Sequence, residues 1–319
     1  MRAVALALAI LWAVPAWAEI SLGHRSGGTP VPAAASAVGY TTLALSTESN
    51  FSNSTVDVSG TYAHGFQWYL WNFFGNPVTS ASIAINADSS ITLSPPAIFN
   101  GAIVSAAQIG GAPGYVGTAF GCGAYITAEI SFVPVGTFSA GWPSLWTMSI
   151  EHLAGLSGQH WTGQASGYDH FAEADIMEFD RGAPHTTYGS TLHEYWGIIN
   201  STCPVPAGLY CEITSPFTPG TVTPPAGVNF NQYHRYAMLW VPATGSTNGF
   251  MTFYFDDMPI GPTFSWAQFT NQSPPPVAPW IYGVFDTQHL PVLIGSNSGS
   301  MNVKSVDVWQ GPGACNLTN

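Results

Sequence analysis

No stretch of this chain sustains the 3.6-residue apolar repeat of a long helix. Short runs rich in β-branched and aromatic residues recur instead between clusters of Gly, Pro, Ser and Asn. They run from Ala128 to Val133, Leu145 to Glu151, Phe171 to Phe179, Leu192 to Ile199, Tyr236 to Val241, Phe250 to Asp256, Trp280 to Phe285 and Val303 to Trp309. Many short strands separated by turn residues can bury their apolar faces only against one another, which predicts an antiparallel two-sheet sandwich. Two proline-rich segments, Cys203 to Asn229 and Pro259 to Pro279, read as long loops. There is no internal repeat and no second composition regime, so one domain is expected from Tyr40 onward, over residues 40–319.

Residues 1–18 open with Arg2, continue through an apolar run and end in Ala16-Trp17-Ala18, the pattern of a cleavable signal peptide. A membrane anchor is the competing reading, disfavoured by Pro15 and the small terminal residues. Residues 19–39 are rich in Gly, Pro, Ala and Ser and read as a flexible leader. The expected location is therefore secreted or periplasmic, with no stable membrane insertion after cleavage and a monomeric chain. An even set of cysteines in an exported chain favours disulfides, with Cys203–Cys211 and Cys122–Cys315 as the pairing weighed first and free thiols as the alternative.

Only 7% of the residues are charged, and the formal charge is −12 at pH 7. Beyond Arg2 the basic residues are Arg25, Arg181, Arg235 and Lys304, too few for the cationic track that nucleic acid or a sulfated polymer requires. Against that background Glu173, Asp175 and Glu178 stand out, three acids within one apolar run. On a regular strand Glu173 and Asp175 share a face and Glu178 points the other way. A β-bulge near Ile176 or Met177 would bring Glu178 back to their face, leaving Ala172, Ala174 and Phe179 toward the core. Three carboxylates so gathered repel, so at least one should hold its proton near neutrality. A charged and a protonated carboxyl side by side suit glycoside hydrolysis with retention. An exposed acidic strand or a calcium site is the alternative; no cofactor is expected, and no calcium motif supports a structural ion.

The Glu173-Ala-Asp-Ile-Met-Glu178 run resembles the Glu-x-Asp-x-x-Glu signature of glycoside hydrolase family 16 in its bulged, laminarinase-like form. Gly123-Ala-Tyr-Ile-Thr-Ala-Glu129, Gly141-Trp-Pro-Ser-Leu-Trp146, His193-x-x-Trp196, Tyr233 to Trp240, Phe253 to Asp256 and Val306 to Trp309 resemble other family strands in the same order. Leu239 stands before Trp240 where many members carry Glu. The resemblance implies a concanavalin-like jelly roll with a sugar cleft across its concave sheet. It implies Glu173 as nucleophile, Glu178 as acid/base and Asp175 as helper in retaining hydrolysis of a neutral β-linked polysaccharide, β-1,3 or β-1,3/1,4-glucan. A non-catalytic glucan-binding lectin of the same fold and a cell-wall transglycosylase stay open beside it.

Flat sugar faces pack on aromatic rings, which makes Trp142, Trp146, Trp161 and Trp196 candidates for the cleft, with His193 as a donor to a sugar hydroxyl. Asp169, Glu194, Asp256 and Asp257 read as turn or surface acids, and His170 receives no role.

Overall fold

Side chains alternate across a strand, so each run that is apolar at every second position buries one face and frees the other. The computed structural model describes residues 29–46, 51–75, 78–94, 101–110, 114–132, 143–156, 164–179, 187–200, 206–207, 210–215, 222, 228–269, 276–296 and 300–319. Among these, one sheet of eight strands pairs in the order Met258–Trp266, Gly249–Phe255, His234–Val241, Ala124–Phe132, Met301–Gln310, Ile91–Leu93 and Ile83–Ile85, with Thr42–Ser46 also paired to Met301–Gln310. A second sheet of nine strands runs Pro206–Ala207, Tyr210–Thr214, Gly189–Ile198, Tyr168–Glu178, Ser144–Met148, Val292–Ser296, Gly101–Val104, Trp68–Leu70 and Val56–Asp57. Within both sheets the described pairings are antiparallel except that of Val56–Asp57 with Trp68–Leu70. This is the all-β, two-sheet antiparallel sandwich that the strand pattern predicts.

Between the sheets lies one apolar core. Ile126, Ala128, Ile130, Met238 and Trp240 of the eight-stranded sheet share it with Leu145, Ala172, Ala174, Leu192 and Ile294 of the nine-stranded sheet. Alternation then turns Phe171, Glu173 and Asp175 to the opposite face of the nine-stranded sheet, which carries a smaller apolar cluster around Trp71, Met148, Phe171 and Leu293. On the outer face of the eight-stranded sheet, Tyr125, Leu239 and Trp309 pack with Tyr40 and Ala35. Leu239 thus lies away from the acidic face.

Several expectations change. Within the leader, the helix Ala33–Ala37 sets a fully buried Ala35 against that outer face. Small alanine side chains permit this close approach; the earlier residues of the leader, 19–28, and the signal segment lie outside the described residues. The proline-rich stretch after Pro259 includes the strand Met258–Trp266. It is an edge strand, where a residue without an N–H leaves no ladder bond unmade on the solvent side. The segment after Cys203 likewise contributes Tyr210–Thr214 to the nine-stranded sheet. Conversely, Trp280 to Phe285 forms turns and the start of a 3-10 helix, Gly283–Thr287, not a strand. After Leu145 the strand stops at Met148 and a short helix, Ile150–Leu153, follows.

Cys122 and Cys315 are disulfide-bonded, with Cα atoms 5.4 Å apart. Cys211 is also in a disulfide, and Cys203 lies outside the described residues. Among the described residues no helix is long and apolar enough to cross a membrane.

Candidate active site

The acidic strand Tyr168–Glu178 is flanked by Ser144–Met148 on one side and Gly189–Ile198 on the other. Along the first neighbour, Met148, Trp146 and Ser144 pair with Glu173, Asp175 and Glu178. Along the second, His193, Thr191 and Gly189 pair with the same three acids. Both neighbours therefore see the acids at successive alternate positions, although two residues separate Asp175 from Glu178 in sequence. The register shifts between Asp175 and Glu178, and Ile176 and Met177 both enter the inter-sheet core together with Phe179. A bulge at this pair explains the arrangement: one extra residue turned inward resets the alternation, so Glu173, Asp175 and Glu178 share the open face.

The Tyr195 hydroxyl donates to Glu173 Oε2 at 3.0 Å. His193 Nε2 lies 3.0 Å from Asp175 Oδ2, and His193 Nδ1 bonds to Glu212 Oε1 from the strand Tyr210–Thr214. The imidazole lies parallel to the Tyr195 ring, 6° between planes and 5.8 Å between centroids. Burial raises the Glu173 carboxyl and the like charge of Asp175 raises it further, against the opposing pull of His193 and the Tyr195 bond; the result is a pKa pushed up to about 8. Glu173 is therefore one of the groups that mutual repulsion and burial keep protonated near neutrality. For His193, burial works against the cation, but the bonds to Asp175 and Glu212 outweigh it and push its pKa up to about 11.

Aromatic rings extend this face in both directions. Trp146, paired beside Asp175, lies 5.6 Å from Trp71, and Trp71 lies 5.9 Å from the exposed Phe74. Phe171 stacks between His152, at 3.6 Å, and Tyr195, at 4.9 Å, while Tyr210 meets its edge at 5.2 Å. Tyr210 in turn donates to Asp169 Oδ2 at 2.6 Å.

Of the sequence candidates, Glu173, Asp175, Glu178, Trp146 and His193 come together on one face. Trp142 and Trp161 lie outside the described residues. Trp196 does not belong to this group: it pairs with His170, alternates with Tyr195 and is 6% exposed, so it faces away from the acids. His193 is on this face, with both ring nitrogens engaged by carboxylates. Asp169 and Glu194 are buried strand residues, not turn or surface acids. His170 Nε2 lies 2.7 Å from Glu194 Oε1, and Glu194 Oε2 accepts the Tyr282 N–H, so this pair ties the acidic strand to the next and to the 282 turn. Asp256 and Asp257 do form a hairpin turn, both with positive φ, and bond to His234 and Arg235.

Tyr195 was legible by alternation from His193, and Glu212 was hidden by reading its strand as loop. Trp71, Phe74 and His152 carried no local signal that set them apart from core aromatics.

No family model matches the chain, and no curated protein matches it in sequence. Among solved structures, the chain is similar to LamA from Z. galactanivorans in complex with laminaritriose and laminaritetraose, at 13% identity and TM-score 0.46, covering 85% of this chain and 100% of that one. It is similar to a family 16 endo-glucanase from Bacteroides ovatus, at 16% identity and TM-score 0.42, covering 73% and 87%. A third is the κ-carrageenase from Pseudoalteromonas carrageenovora, at 13% identity and TM-score 0.43, covering 73% and 83%.

Proposed function

We propose that this protein is an exported retaining endo-β-glycosidase that hydrolyses a neutral polysaccharide, β-1,3- or β-1,3/1,4-glucan. The observation that carries the reading is the register of the acidic strand, in which both neighbouring strands align Glu173, Asp175 and Glu178 at consecutive positions of one open, aromatic-lined face.

In the first step the ionised Glu173 carboxylate attacks the anomeric carbon while Glu178 gives its proton to the departing glycosidic oxygen, leaving a glycosyl ester on Glu173. In the second, Glu178 takes a proton from water, the water oxygen attacks the same carbon, and Glu173 leaves as carboxylate. Asp175 stands between them, and its charge sets how readily Glu173 ionises. Trp146, beside Asp175, offers an apolar ring for a sugar face. The two described basic side chains, Arg235 and Lys304, belong to the other sheet and pair with Asp257 and Glu129. A neutral glucan fits such a face better than a sulfated chain.

Reducing ends should appear when the purified protein meets a panel of β-glucans, and none should appear with Glu173→Gln. Glu173→Ala supplied with azide should give the α-glycosyl azide, because azide then attacks from the face the carboxylate vacated. Absence of product from every β-glucan, or full activity in Glu173→Gln, would remove the proposal.

A further inference from the structure

Glu212 is a carboxylate with a side chain only 11% exposed, on a strand one place farther from the acids than His193, and the two-step reaction above gives it no task. Its partner is His193 Nδ1, whose ring is held at Nε2 by Asp175. An ionised carboxylate only accepts hydrogen bonds, and a neutral imidazole has one donor and one acceptor. A histidine between two carboxylates can satisfy both only when both nitrogens carry protons. The Tyr195 ring lies beside it on the same strand, parallel within 6° at 5.8 Å between centroids.

We propose that Glu212 is a positioning residue that holds His193 as a doubly donating imidazolium, placing a fixed cation opposite Glu173 in a face otherwise crowded with carboxylates. The cationic role stands on the geometry of the three side chains, and its catalytic consequence rests on the hydrolase reading above. His193 pairs directly with Glu173 across the strands, so its charge offsets the repulsion that Asp175 exerts there. The groups facing the imidazole are Glu173 and Asp175 from the acidic strand, Glu212 from the outer strand, and Tyr195 on its own strand. The three acids favour the charged ring. The phenol is neutral, its pKa raised by burial and then by Glu173.

The test follows the imidazole nitrogens of His193 by 15N NMR in the full-length protein across pH 5 to 12, assigned with His193→Asn. In the wild type both nitrogens should remain protonated through pH 8. In Glu212→Gln the titration should move down by about one unit or more, a tenfold loss in the protonation equilibrium. A wild-type ring that titrates near its ordinary value, or a midpoint unmoved by Glu212→Gln, would overturn the proposal whether or not a glucan is cleaved. Kinetics supply a second arm. Glu212→Gln should lower kcat more than it raises KM, and its effect should vanish in the His193→Asn background; equal loss in both backgrounds would mean that Glu212 does not act through His193. An inactive wild type would sink the hydrolase reading alone, since the NMR arm still decides the imidazolium.

Discussion

At the scale of single residues, the proton balance of the site is set by a few contacts that can be removed one at a time. Glu173 must be ionised to act as nucleophile, yet burial and Asp175 push its pKa up to about 8. The acid limb of kcat/KM should therefore lie across neutrality, with the rate of the free enzyme rising with pH there. The Tyr195 hydroxyl favours the charged form of Glu173 by donating to it. Tyr195→Phe deletes only that donor, so the acid limb of the profile should move to higher pH, by roughly one unit if the bond stabilises the carboxylate by about 1.4 kcal/mol. Asp175→Asn removes the neighbouring negative charge and should move the same limb to lower pH. Initial rates on one soluble glucan across pH 5 to 9 decide both, and shifts in the same direction would contradict the account.

At the scale of elements, the bulge at Ile176 and Met177 is what lets six consecutive residues present three acids. Deleting Ile176 removes the extra residue and leaves Glu173, Asp175 and Glu178 at strictly alternate positions, so the three acids keep one face without a bulge and Phe179 stays inward. The deletion does take one buried isoleucine from the inter-sheet core, so it should lower the stability read from the urea midpoint by roughly 2–5 kcal/mol while turnover persists; a folded variant without turnover would contradict the account. Met177→Leu, which keeps the residue count and much the same volume, should retain both within about 1.5 kcal/mol. The acids and their bulge were legible because charge is scarce in this chain and because 5-residue spacing conflicts with a period of two. Strands that break composition rules were not legible. Met258–Trp266 carries two prolines and survives as an edge, and Tyr210–Thr214 sits in a segment rich in Pro and Gly. Missing the second strand hid Glu212 and with it the second carboxylate that holds His193. Trp280 to Phe285 erred in the opposite sense: its aromatic and β-branched residues suit a strand, but the chain there turns through Tyr282 at φ 69° to meet the buried Glu194. A partner distant in sequence decided that local structure.

At the scale of the whole molecule, long-range constraints matter more than any single loop. The Cys122–Cys315 bond closes a loop of 193 residues and fastens the C-terminal strand Leu317–Thr318 close to its partner Tyr115–Ala119. Replacing both cysteines by serine should lower unfolding free energy by about 2–5 kcal/mol, read from urea curves under non-reducing conditions. The charge distribution makes a further prediction about stability against pH. Glu173 has a folded pKa near 8 against an ordinary 4.5, and His193 a folded pKa near 11 against 6.5. Both shifts are upward, so the native state binds more protons than the unfolded chain between the two values of each group, and stability falls as pH rises there. Glu173 contributes fully below pH 4.5 and loses its contribution up to about 8; His193 contributes fully below 6.5 and loses its contribution up to about 11. Asp57 acts in the opposite sense: burial raises its pKa, but bonds from Ser59, the Tyr62 N–H and Thr61 lower it more, so its contribution is lost as pH falls below the ordinary 3.8. The melting temperature should therefore peak in mildly acidic solution and decline from pH 5 to 9, most steeply between 6.5 and 8, where unfolding releases a proton from both site groups. His193→Asn should flatten the upper part of that decline. Calorimetry at pH 5, 7 and 9 separates the outcomes: a melting temperature that climbs across this range would mean that the acids and His193 are not held as the folded sheet holds them.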